Sequence, residues 1–107
     1  MAATDLERLF RPRSVALIGA SSDPAKIGGR PLHFLAKHGF KGDIWPVNPR
    51  AEEIGGVPCF RDIESLPGAP DVAMVLVGPA QAEASIRALA ARGTGAAMVL
   101  AGGFAES

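Results

Sequence analysis

Residues 14–31 read SVALIGASSDPAKIGGRP. The apolar run Val15–Ile18 contains β-branched residues and no alternation, the pattern of a strand covered on both faces. It ends in the small-residue turn Gly19-Ala20-Ser21-Ser22, then meets Pro24, Lys26, Gly28 and Gly29. A strand that runs through a phosphate-holding loop into a helix has this form. The helix is expected over roughly residues 28–38. Pro31 fits its first turn, where a missing N–H is harmless. Leu32, Leu35 and Ala36 form its inward stripe, and Gly39 is placed to stop it.

Working outward, Thr4 and Glu7 have capping-box spacing, which predicts a short helix over residues 5–10 ended by Pro12. Downstream, DIWPVNP (43–49) reads as a second strand ending near Val47, short or irregular because Pro46 cannot donate a ladder hydrogen bond. AEEIGG (51–56) suggests one helical turn, VPCF (57–60) a short edge strand, and RDIESLP (61–67) a brief helical piece. DVAMVLVGP (71–79) is a clear buried strand. Pro79 opens a helix to about Arg92, with Ala82, Ile86, Leu89, Ala90 and Gly93 at helical spacing on one face. AAMVLAGG (96–103) is a further strand, and Met74 and Met98 are expected in the core. Such alternation predicts an α/β fold: a doubly wound, Rossmann-like parallel sheet of about five strands in three α/β/α layers.

The bulk numbers fit one domain. The chain has 107 residues, 48% of them apolar and 21% charged, with a formal net charge of zero. No run of like charges suggests a nucleic-acid or membrane surface. The single cysteine, Cys59, has no intramolecular disulfide partner, and no Cys/His cluster has zinc spacing. A reducing cytoplasm is the expected setting. Residues 95–105 form the longest uncharged apolar stretch, too short to span a bilayer. No pair of carboxylates is placed for acid–base work. His33 and His38 are expected to be structural or solvent-facing, and Trp45 to anchor a core or subunit contact.

In a parallel sheet the strands' carboxyl ends share one edge, where ligands bind at the point of strand-order reversal. Four loops should converge there: Gly19-Ala20-Ser21-Ser22, Val47-Asn48-Pro49-Arg50, Val77-Gly78-Pro79-Ala80 and Ala101-Gly102-Gly103-Phe104. Their small residues let a ligand approach the backbone, whose N–H groups can cradle phosphate. Lys26, Arg30 and Arg50 are the cations within reach. The nicotinamide fingerprint G-x-G-x-x-G is incomplete, because the glycine after Gly19 is Gly28. The acidic residue that would hold a ribose diol at the end of the second strand is replaced by Asn48, with Arg50 nearby. A cation there favours a ribose bearing an extra phosphate, as in NADP or coenzyme A.

SVALIGASSDPAKIGGRPLHFL, WPVNPRAEEIGGVPCF, DVAMVLVGP and AAMVLAGGFAES, four blocks in register from about Leu9 to Ser107, together resemble the N-terminal CoA-binding domain of NDP-forming (ADP-forming) acyl-CoA synthetases, which is similar to the succinyl-CoA synthetase α subunit. The resemblance implies that CoA, or acyl-CoA, lies across the carboxyl edge. Gly19, Ala20, Ser21 and Ser22 would meet its phosphates. Val47, Asn48 and Pro49 would line the nucleotide, with Arg50 near its phosphates and Lys26 as a looser neighbour. Val77 and Pro79 would flank the nucleotide or upper pantetheine, while Gly102 and Gly103 would let the arm pass toward the thiol.

The family reaction joins an acid to CoA with cleavage of ATP, through an acyl phosphate and a phosphohistidine held in other domains. ATP and magnesium would therefore act only through domains outside this sequence. The chain is expected to be one CoA-binding domain, residues 1–107, at the front of a longer multidomain chain, and to bind rather than catalyse alone. Its partners would be CoA and the other domains or subunits of a synthetase, with no nucleic acid or membrane. An uncovered sheet edge could pair copies of the chain. Two alternatives stay open: a CoA-binding regulatory domain, fused to a protein acetyltransferase or standing alone, and an NADP-binding oxidoreductase domain.

Overall fold

A computed structural model describes residues 11–20, 30–37 and 39–99. The expected helix over residues 5–10 lies outside them. In chain order the elements are β1 (Ser14–Ile18), α1 (Arg30–Lys37), β2 (Asp43–Val47), β3 (Glu53–Ile54), β4 (Val57–Pro58), a 3-10 turn (Ile63–Ser65), β5 (Val72–Val75), α2 (Pro79–Arg92) and β6 (Ala96–Val99). Strands β1, β2, β5 and β6 form a parallel sheet in the order β2-β1-β5-β6. β1 pairs Ile18 with Val47 on one side and with Val75 on the other.

Each strand sends alternate side chains to opposite faces. Ala16, Ile18, Ala73 and Val75 pack with Ala82 and Leu89 of α2, while Val15, Leu17 and Val72 pack with Leu32 of α1. The expected three layers follow from this division, and it explains why β1 shows no alternation: both faces are covered. Leu35 is half-buried against the α1 cluster. Gly39 adopts φ 69°, and Phe40 N–H donates to the Leu35 carbonyl at 3.0 Å, so α1 stops where expected.

The stripe on α2 is narrower than its sequence spacing suggests. Ala82 and Leu89 are buried, but Ile86 is 40% exposed, and Ala90 and Gly93 are exposed. Gly93 instead caps the helix with φ 86°, donating toward the Ala90 carbonyl at 3.0 Å. Arg92 crosses to the 3-10 turn and donates to the Leu66 carbonyl at 2.6 Å. Met98, expected in the core, is 41% exposed, because β6 is an edge strand of the described sheet.

AEEIGG is not a helical turn. Gly55 and Gly56 take φ 59° and 81° and close a two-residue hairpin between β3 and β4, pairing Ile54 with Val57. Two consecutive positive φ values are what such a tight hairpin demands, and Gly-Gly supplies them without a Cβ penalty. VPCF accordingly divides. Val57 and Pro58 pair antiparallel with β3, and Phe60 makes a single parallel bridge to Val47. RDIESLP is a brief helical piece as expected, capped by Asp62, which accepts from the Ser65 amide at 2.8 Å.

At the opposite end of the sheet, Asp71 ties the start of β1 to the start of β5. Its carboxylate accepts from Arg13 N–H at 2.8 Å, and its own N–H donates to the Ser14 hydroxyl at 3.1 Å. These bonds fix the relative register of β1 and β5 at their starts. No helix among the described residues is long and apolar enough to cross a membrane.

Candidate functional site at the carboxyl edge of the sheet

The chain leaves β1 toward β2 on one side and returns to β5 on the other, so the strand order reverses between β1 and β5. A crevice at that reversal is where doubly wound sheets take ligands. Gly19 sits at its floor with φ 88° and donates to the Val47 carbonyl at 3.0 Å. A Cβ on Gly19 would lie 2.6 Å from Val77 Cγ1 and 3.2 Å from the Leu76 carbonyl oxygen. The two strand ends thus approach more closely than any residue but glycine allows. Leu76 N–H closes the other side of the junction on the Ile18 carbonyl at 2.8 Å.

Asn48 organises the loop after β2. Its Nδ2 donates to the Ala20 carbonyl at 2.9 Å, and its Oδ1 accepts from Arg50 N–H at 2.8 Å. The second bond is an Asx turn, which bends Pro49 and Arg50 away from the strand line. The first ties this loop to the loop after β1. Both ends of the amide are therefore occupied by backbone. Pro46 is tolerated two residues earlier because its carbonyl faces outward, accepting from Phe60 N–H at 2.8 Å. Its missing donor would have pointed to the same outer side rather than toward β1.

Beside this loop lies a groove of about 450 Å³ lined by Asn48, Pro49, Arg50, Ala51, Glu52, Cys59 and Arg61. Arg50 and Arg61 are exposed. Cys59 is half-buried, with Sγ 3.7 Å from the Asn48 and Phe60 carbonyls. Burial pushes its thiol pKa above the ordinary value, outweighing those two contacts. A thiol in that condition is a packing group rather than a nucleophile. No cluster of metal-ligating side chains occurs among the described residues.

On the far side of the crevice, Gly78 caps α2 with no side-chain hydrogen bond, and Pro79 is the first helical residue. The helix start at the carboxyl edge offers amide donors and the positive end of its dipole. Val77 is half-buried against the α2-side cluster. Of the residues singled out from the sequence, the structure thus gathers Gly19, Ala20, Val47, Asn48, Pro49, Arg50, Val77 and Pro79 along one edge. The side chains of Ala20 and Val47 point into the core, so these two can offer only backbone. Ser21, Ser22, Lys26, Gly102 and Gly103 lie outside the described residues, as does His38. Sequence reasoning missed Arg61, which reaches the groove through the bridge between Phe60 and Val47.

The CoA-binding domain family matches residues 13–107. The chain belongs to this family. As a CoA-binding domain it is 37% identical over 102 residues to a trans-feruloyl-CoA synthase from an unknown prokaryotic organism, covering 95% of this chain and 14% of that protein. It is 39% identical over 103 residues to an ADP-forming acetate–CoA ligase II of Archaeoglobus fulgidus, covering 95% of this chain and 15% of that protein. The dinucleotide-forming acetyl-coenzyme A synthetase 1 of Ca. Korarchaeum cryptofilum, solved with phosphate and ADP, superposes with a TM-score of 0.79 at 39% identity, covering 83% of this chain and 19% of that one. The CoA-binding domain therefore spans less than a quarter of the length of these relatives. The Rossmann-like α/β fold and the kinship with ADP-forming acyl-CoA synthetases stand as expected from the sequence.

Proposed function

We propose that this CoA-binding domain holds coenzyme A across the carboxyl edge of its sheet, as the CoA-holding part of an ADP-forming acid–CoA ligase. The observation that carries the reading is the loop after β2. It ends in an Asx turn that presents Arg50, where a nicotinamide domain would place a carboxylate for a ribose diol. Asn48 is neutral and each end of its amide already bonds backbone, so it offers a ribose diol less than a carboxylate would. Glu52, the carboxylate in the groove, shares it with two arginines. This setting suits a phosphorylated ribose.

The parts that would hold CoA have separate tasks. The Gly19 turn and the α2 start supply close backbone approach and amide donors for the diphosphate, with Ser21, Ser22 and Lys26 adjoining in sequence. Asn48, Pro49 and Arg50 border the nucleotide. Val77 gives an apolar wall, and Gly102 and Gly103 are assigned to the pantetheine arm from the sequence alone. CoA supplies the thiol that accepts the acyl group. The acid, the ATP and the phosphorylated intermediates belong to other domains of a longer parent.

A thermal-shift series with CoA, acetyl-CoA, NADP and NAD tests this reading. A ligand at about a hundred times its dissociation constant adds roughly 2.7 kcal/mol of stability. CoA and acetyl-CoA should raise the melting temperature and NAD should not. A shift with NADP and none with CoA would overturn the reading.

A further inference from the structure

We propose that Arg61 is a second cation of the ribose-phosphate subsite and, with Arg50, selects a ligand carrying a phosphomonoester on its ribose. This rests on the CoA reading above and extends it to a residue eleven positions after Arg50 in sequence that lines the same groove as Asn48 and Arg50.

The placement comes from main-chain bonding. Phe60 N–H donates to the Pro46 carbonyl at 2.8 Å, and Asn48 N–H donates to the Phe60 carbonyl at 2.8 Å. Those two bonds bracket Val47 and make the segment around Phe60 run parallel to the end of β2. Residue 61 is thereby delivered one step further toward the carboxyl edge, alongside the Asn48-Pro49-Arg50 turn. A third bond, Cys59 N–H to the Glu52 carbonyl at 2.8 Å, ties the other end of the groove. Arg50 and Arg61 thus line one groove of about 450 Å³ from two segments cross-linked by backbone.

The charges in the groove leave a cationic excess. Arg50 and Arg61 face one carboxylate, Glu52. Asp62, next in the chain, accepts from the amide and the hydroxyl of Ser65 in the 3-10 turn, and its interaction with Arg61 is the smallest of the influences on it. The ion pair among the described residues, Arg87 with Glu83, lies on α2. Two guanidinium groups flanking one opening suit a phosphate dianion, because each can donate two parallel hydrogen bonds. A ribose diol offers no such charge.

The test is calorimetric titration of the chain with CoA, 3′-dephospho-CoA, NADP and inorganic phosphate, for the parent, Arg61→Gln and Arg61→Lys. Arg61 is exposed, so the fold should survive, and circular dichroism checks this. Arg61→Gln should weaken CoA about tenfold, as expected for loss of a charge-assisted contact, and leave 3′-dephospho-CoA within about twofold. Arg61→Lys should recover part of the loss. Inorganic phosphate should bind far more weakly than CoA. Equal losses for CoA and 3′-dephospho-CoA, or no loss for either, would remove Arg61 from the subsite while leaving CoA binding intact. A parent chain that binds NADP more tightly than CoA, or fails to bind CoA, would overturn the CoA reading and this inference together.

Discussion

Asn48 spans two loops: its Nδ2 bonds the Ala20 carbonyl at 2.9 Å, while its Oδ1 bonds the Arg50 amide at 2.8 Å. One side chain thus fixes the distance between the loop after β1 and the loop after β2. Asn48→Ala would break both bonds and leave a half-buried carbonyl short of a partner. A loss of about 1–3 kcal/mol is expected in urea unfolding, together with weaker CoA binding. Asn48→Asp keeps the acceptor for Arg50 but sets a carboxylate against the Ala20 carbonyl and beside the groove. It should therefore reduce CoA affinity more than Asn48→Ala does, as read by calorimetry.

Gly19 and Val77 meet at the floor of the crevice, where a Cβ would lie 2.6 Å from Val77 Cγ1. Gly19→Ala should cost about 2–4 kcal/mol, combining left-handed strain at φ 88° with overpacking. Val77→Ala in the same chain should recover part of this, about 1–2 kcal/mol, because it removes the clash and not the strain. A double-mutant cycle in urea measures the coupling. Strict additivity would show that the clash is relieved by movement elsewhere.

The corrected face of α2 is open to direct measurement. Leu89 is 1% exposed and Ile86 is 40% exposed. Leu89→Ala should cost about 2–5 kcal/mol, and Ile86→Ala no more than about 1 kcal/mol. Equal costs would restore the wider stripe expected from the sequence.

Asp62 gives the fold an acid-sensitive cap. The Ser65 hydroxyl and amide, with a smaller contribution from Arg61, hold its carboxyl below the ordinary value of 3.8. A folded pKa below the unfolded one means stability that is fully present above the unfolded value and lost as pH falls through the folded one. The stability gap between the parent and Asp62→Ala should therefore be constant from about pH 8 to pH 5 and shrink below about pH 4. A gap unchanged down to pH 2 would show that the neutral acid caps as well as the carboxylate.

Several elements were legible because their causes are local. The unbroken apolar runs Val15–Ile18 and 72–75, the proline that opens α2 and the glycine after α1 each carry their own signal. The meeting of the described ends of β1, β2 and β5 at one edge was legible as well, since a parallel sheet puts every strand's carboxyl end there. The AEEIGG segment misled because Ala, Glu and Glu favour a helix, while the hairpin is set by the two positive-φ glycines that follow. Met98 misled because an apolar strand reads alike in the centre and at the edge of a sheet. Neither composition nor spacing says which strand lacks a neighbour.

By itself the sequence determined the alternation of strands and helices, the small-residue loops, and the replacement of the ribose-binding acid by Asn48 with Arg50 beside it. Only the tertiary structure decided what those loops touch. The close approach that requires glycine at position 19, the bridging amide of Asn48, and the arrival of Arg61 beside Arg50 all depend on strand order and on hydrogen bonds between distant segments. Such bonds form between main-chain groups that every residue carries, so side-chain pattern alone leaves their partners unspecified.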